Sequence, residues 1–253
     1  MLIVNADDWG RSRAETDAAL QCHKNERISA VSAMVFMEDS ERAASLARKN
    51  RVDTGLHLNF SEPFSGDPGS AILLDSHRKV SAFLMRNKYS QLIYNPLLRE
   101  AFACSCRAQL EEFHRLYGRS PSHIDGHHHM HLCANVVLSQ LIPRGMTVRR
   151  HFSFWPGEKS VLNRAYRDAT NWWIAQRYRL RDYFFDLTQS IEGKKLDRVM
   201  RLARSSTVEL MTHPISRFEM DYLVGDEFRG MQQELRDIRR NPLLSNLPSL
   251  NQT

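Results

Sequence analysis

The chain has 253 residues, 42% hydrophobic and 25% charged, a composition that fits a globular protein and excludes extensive disorder. Its net charge is +6, but the basic residues are spread along the chain near acidic ones, without a recognised nucleic-acid-binding signature, which argues against nucleic acid as the principal partner. No run approaches about 18 apolar residues, so a spanning helix is excluded and only peripheral membrane contact stays open. The start, MLIVNADDWG, lacks a basic leader and reads as an opening strand, so a cytoplasmic location is expected. Cys22, Cys104, Cys106 and Cys133 show no C-x-x-C spacing and are expected to be reduced thiols.

LIVNA (2–6), short and β-branched, predicts a buried strand that ends on Asp7 and Asp8. A helix follows over 14–25, then a strand VSAMVF (31–36). A second helix, capped at Asp39 or Ser40, runs to residue 49. TGLHLNF (54–60) is a third strand with His57 near its end. Pro, Gly and Ser in 61–76 predict a long loop, and a helix over 97–117 stops at Gly118. SHIDGH (122–127) predicts a short strand, 133–142 a helix, and MTVRR (146–150) a strand ending in Arg149 and Arg150. The region 157–181 reads as an amphipathic helix with basic residues toward solvent. YFFDL (183–187) and TVELMTHP (207–214) are further strands around a helix over 193–204. A helix over 226–240 precedes a tail, 241–253, expected to fray. This alternation predicts an α/β fold with a parallel sheet in a single domain, 1–240, closed as a barrel of roughly six to eight strands or left open.

In a parallel α/β barrel, catalytic groups gather at the C-terminal ends of the strands. Asp7-Asp8, His57, Asp125-Gly126-His127, Arg149-Arg150 and His213 all fall at such ends. Each alone has an ordinary structural explanation: a helix cap, a satisfied core histidine, a strand terminus. Five strand ends carrying ionisable groups at once favour a metal-dependent active site. HIDGHHHMH (123–131) holds five of the eleven histidines. The D-x-H step places His127 at the strand end with Asp125 as a supporting partner; His129 and His131 line the cleft or orient ligands, while His123 and His128 turn into packing.

One carboxylate and two imidazoles suit Zn²⁺ or another borderline divalent ion, and the lack of nearby cysteine argues against a closed structural zinc site. Such an ion polarises a carbonyl or a phosphoryl oxygen, so a metal-dependent phosphoesterase stands as an alternative, although the rim has few carboxylates for a second ion. A non-catalytic carbohydrate- or membrane-associated protein is the other. Neighbours on an extended strand point to opposite faces, so Asp7 and Asp8 reach one site only through a kink, for which Gly10 is the candidate.

NADDWG (5–10), GLHL (55–58), HIDGHHHMH (123–131) and THP (212–214), in that order and together with ISAVSAMV (28–35), resemble the YdjC-like carbohydrate deacetylases from residue 1 to about residue 215. The resemblance implies a distorted, TIM-like (β/α) barrel related to the polysaccharide deacetylases. It implies hydrolysis of an N-acetyl group on an amino sugar, carried by an oligosaccharide, a glycolipid or a sugar-linked intermediate. It also implies Asp8, His57 and His127 as metal ligands, for Zn²⁺ first and Mg²⁺ as the alternative. Asp7 would be the general base, His213 the general acid that protonates the departing amine, and Arg149 a group orienting Asp7 or the substrate. Trp9 stands where the family usually has Phe, and the Arg- and Trp-rich segment 151–182 shows no clear match to the family's motifs, so the sugar itself is not carried over. Trp155, Trp172 and Trp173 are candidates for stacking on sugar, for a membrane interface or for core packing, and a homodimer stays open.

Overall fold

In the computed structural model residues 1–240 are described, and the tail expected to fray lies outside the described residues. The strands are β1 (Leu2–Trp9), β2 (Ala30–Ala33), β3 (Asp53–Leu58), β4 (Ile124–Gly126), β5 (Tyr183–Asp186) and β6 (Val208–Thr212). They form one parallel sheet in the order β4-β3-β2-β1-β6-β5. Val4, Ala6, Val31, Leu56, Ile124 and Leu210 are buried, as expected for the strands of an all-parallel sheet. The helices are α1 (Arg13–Lys24), α2 (Ser40–Asn50), α3 (Ala71–Leu84), α4 (Arg99–Tyr117), α5 (Ala134–Leu138), α6 (Val161–Ala175), α7 (Leu187–Glu192), α8 (Leu196–Ser205), α9 (Arg217–Val224) and α10 (Asp226–Arg240).

The sheet curls, and an irregular segment completes the distorted barrel. MTVRR (146–150) is not a strand of the sheet: it makes only single bridges, Val148 to Ile124 and Thr147 to Arg179. Beyond them the Ser153 N–H donates to the Phe184 carbonyl of β5 at 2.8 Å. The stretch 146–153 thus spans the gap between β4 and β5 with too few bonds for a ladder.

Other expectations shift for local reasons. The loop predicted over 61–76 ends early, because Ser70 caps α3 by accepting the Leu73 N–H, and Leu73, Val80 and Leu84 then pack inward. β2 stops at Ala33 rather than residue 36, where Phe36 takes a φ of +59°. β3 stops at Leu58 rather than residue 60, and the helix expected over 133–142 shortens to α5. α7 and α9 were not anticipated. Within 157–181, α6 is amphipathic but inverted relative to expectation: Leu162, Tyr166, Trp172 and Trp173 face solvent, while Arg164 and Arg167 are half-buried.

Candidate metal centre and active-site cleft

β1 brings two consecutive aspartates to one rim by kinking at Asp8 itself. Asp8 has a φ of +64°, and the β1–β2 register slips between Ala6 and Trp9. This bulge, not Gly10 alone, turns both side chains the same way; Gly10, at φ +86°, continues the bend. A non-glycine residue held there costs about 1–3 kcal/mol and persists only where its surroundings over-determine it.

His57 and His127 supply those surroundings. His57 Nε2 lies 3.3 Å and His127 Nδ1 3.0 Å from Asp8 Oδ1. One donor atom from each of the three lies within 4.8 Å of the others, which gives an N₂O set able to hold a divalent ion. His57 Nδ1 sits 2.8 Å from Asp125 Oδ1, so the carboxylate fixes the ring and leaves Nε2 for the site. On the far side of His127, Nε2 faces Glu62 Oε2 at 3.3 Å, and Arg11 grips Glu62 through two 2.9 Å hydrogen bonds. Gly126 lets β4 end so close to its neighbours, since a Cβ there would lie 3.0 Å from the Leu58 carbonyl and from His131. Burial would raise the Asp8 pKa, but hydrogen bonds from His127 and His57 hold it well below the carboxylate range. Burial would likewise depress His57, yet Asp125, Asp7 and Asp8 push it up to about 10. These carboxylates concentrate negative charge where a cation would sit.

Arg149 ties the remaining acids together. Although the segment that bears it is no sheet strand, its side chain is fully buried. Its terminal nitrogens donate to the two Asp7 oxygens at 2.7 Å each, and Nη2 also lies 2.6 Å from Asp125 Oδ2. Nε donates to Glu209 Oε1 at 2.7 Å, while Arg181 holds the other Glu209 oxygen at 2.6 Å. Asn5 Nδ2 donates to Asp7 Oδ1, and Ser32 Oγ donates to Asp125 Oδ2. Burial disfavours the charged forms, but Arg149 holds Asp125 well below its usual pKa and Glu209 below its own. Asp7, His57 and Asp125 also converge closely enough for a metal. Their carboxylates are already neutralised by Arg149, so that corner is an ion-pair network. Arg150 points elsewhere and bonds the Asp182 carbonyl.

His213, one residue beyond β6, enters from the flank of β1 opposite β3 and β4. Glu219 of α9 positions its backbone, accepting from the His213 N–H and from the Thr212 and Thr188 hydroxyls. Asp7, Asp8, His57, His127, Glu62 and His213 line one cleft of about 610 Å³, large enough for a sugar ring.

The histidine cluster divides differently from expectation. His128, expected in packing, lines the cleft and contacts Ser61 Oγ at 3.0 Å. His128 and His129 both have positive φ, 51° and 58°, which separates the directions of three consecutive rings. His129 lines the cleft against Phe152 and Phe184, and burial and Arg149 hold it neutral. His123 is buried against Ser32 and Ser122. His131 is buried and donates from Nε2 to the Arg149 carbonyl at 3.0 Å, supporting the segment that carries Arg149. Of the residues not singled out from sequence, Asn5, Ser32 and Glu209 left a trace as polar letters inside short apolar strands; Arg11, Glu62 and Glu219 left none.

Burial drives the His131 pKa from 6.5 down to about 4. Its folded form binds the proton more weakly than the unfolded chain does, so stability is full above pH 6.5 and falls as pH drops toward 4. The expected contribution of His131 over this window is about 3 kcal/mol, added to that of His151, which burial lowers to about 3, and of His129, which is also depressed. His57, shifted upward, contributes a constant term below 6.5 and does not mask the slope. Urea unfolding of chelator-treated protein at a series of pH values reads the effect. An unchanged slope in His131→Asn would remove His131 as its cause.

The model of the YdjC-like protein family matches residues 1–235. A mouse carbohydrate deacetylase is 30% identical over 175 residues, covering 66% of this chain and 54% of the relative. A chitooligosaccharide deacetylase of Proteus mirabilis is 32% identical over 135 residues, covering 52% and 50%. The chain thus spans about half the length of the curated relatives it matches. A solved structure from Enterococcus faecalis, described as a candidate cellobiose-phosphate cleavage protein, superposes with a TM-score of 0.67 at 17% identity. That match covers 92% of this chain and 94% of the other, and it supports the fold alone.

Proposed function

The chain belongs to the family of YdjC-like proteins, and from that premise we propose that it is a metal-dependent hydrolase removing an N-acetyl group from an amino sugar on an oligosaccharide or a glycolipid. The observation that carries this reading is the convergence of Asp8, His57 and His127 beside Asp7 and His213 in one cleft. Residues 1–240 act as a single catalytic domain in this reading, in a cytoplasm that keeps the four free cysteines reduced.

Asp8, His57 and His127 would hold the ion, Zn²⁺ ahead of Mg²⁺ because two of the three donors are imidazole nitrogens. Bound there, a divalent ion supplies Lewis acidity to the amide carbonyl and acidifies water. Asp125 and Glu62 hold the two imidazoles from behind, so neither ligand must reorganise. Asp7 takes the proton of the attacking water, its carboxylate aimed by the two Arg149 hydrogen bonds. His213, from the other flank, protonates the amine nitrogen as the C–N bond breaks, and acetate leaves with the water oxygen. His128 and His129 line the same cleft and would contact the sugar.

Metal-loaded protein is expected to release acetate from at least one member of a panel of N-acetylhexosamines, chitooligosaccharides and N-acetylated glycolipids. Release should stop with chelator and return with Zn²⁺ or Mg²⁺. No acetate from any member, with p-nitrophenyl phosphate cleaved instead, would move the assignment to a phosphoesterase.

A further inference from the structure

α6 turns to solvent the face that a helix of a soluble protein normally buries. Leu162, Tyr166, Ala169, Trp172 and Trp173 recur at three- and four-residue spacing and form one stripe. Leu162 is 83% exposed, Trp172 66% and Trp173 50%. The opposite face is anchored: Asn171 and Ile174 are buried, and Asn171 Oδ1 accepts the His151 N–H, two residues beyond Arg149. The helix is therefore held in this orientation by the active-site rim. Its apolar side extends toward α5, where Trp173 and Val137 share a small cavity and Leu138 is exposed.

The charge around the stripe is one-sided. Arg144 and Arg177 line the same small cavity as Trp173, and neither forms an ion pair among the described residues, while Arg164 and Arg167 are half-buried on the opposite face and Lys159 lies over Phe154. Of the acids nearby, Glu158 is engaged by Lys195 and Asp168 stands on the helix flank. Unpaired positive charge thus gathers beside two exposed tryptophans. Tryptophan and tyrosine at the level of headgroups, flanked by arginine and lysine, is the pattern of a helix lying in a membrane interface.

We infer that the outward face of α6 docks on a lipid surface bearing anionic headgroups, with Trp172, Trp173 and Leu162 entering the interface and Arg144 and Arg177 meeting the headgroups. A second copy of the chain is the poorer occupant, since a two-fold contact through this face would set the same unpaired cations against each other. Among the described residues no helix is long and apolar enough to cross a membrane, so the attachment is peripheral. Phe152 packs on His129 and Phe154 lies under Arg167, so docking holds the cleft's edge beside the lipid. The inference rests on this surface and not on the deacetylase reading.

The full chain should sediment with vesicles containing one third phosphatidylglycerol and not with pure phosphatidylcholine, with a blue shift of tryptophan emission on binding and marked weakening at high salt. Trp172→Ser/Trp173→Ser should bind about tenfold or more weakly with an unchanged melting temperature, because both side chains are exposed. Arg144→Ser/Arg177→Ser should lose the preference for anionic vesicles. Wild-type protein that ignores both vesicles, or a tryptophan variant that binds as well as wild type, overturns the inference. So does a dimer in analytical ultracentrifugation that the tryptophan variant dissolves, which assigns the stripe to a second copy.

Discussion

Arg149→Met is expected to destabilise the chelator-treated protein by at least about 3–5 kcal/mol, because it leaves Asp7, Asp125 and Glu209 buried without their shared counter-charge. The corresponding fall in melting temperature is about 10 °C or more. Arg149→Lys should recover only a fraction, since one ammonium cannot span three carboxylates that the planar guanidinium reaches with separate nitrogens. Thermal and urea unfolding of the three proteins provide the measurement. A methionine variant as stable as wild type would mean that these acids are solvated or protonated in the native state, and the account of the network would fall.

Asp7→Asn should separate binding from chemistry. The amide keeps one acceptor for Arg149 and removes none of the Asp8, His57 and His127 donors, so metal stoichiometry should stay near wild type. kcat should drop by about 10²–10⁴, the range for losing a positioned general base. His57→Ala should instead lose the metal along with activity. Elemental analysis beside acetate-release kinetics distinguishes the two. An Asp7→Asn enzyme with full turnover and full metal content would remove Asp7 as the base.

The strand-end groups were legible because each interrupts a short apolar run within a few residues of sequence. Strand–helix alternation and the order of Asp8, His57, His127 and His213 needed no more than that. Asn5, Ser32 and Glu209 were legible in principle, since a polar side chain inside a buried strand demands a partner. What they partner could not be read: Glu209 is satisfied by Arg149, 60 residues upstream, and by Arg181, on separate irregular segments. Glu62 was lost in a stretch whose Pro and Gly content announced only a loop.

Local chemistry therefore decided which residues terminate the strands and what charges they carry, and tertiary packing decided how those charges are aimed. The turn of Asp8 into the left-handed region exists because His57 and His127, brought by β3 and β4, hold its carboxylate. MTVRR has a strand's composition but meets its neighbours through isolated bridges, while its Arg149 side chain reaches inward to three carboxylates brought by other segments. For α6, periodicity located an apolar face, and only the anchorage of Asn171 to the rim determined that this face looks outward. A hydrophobic period reports that a helix has two sides; the contacts made by the rest of the chain select which one is covered.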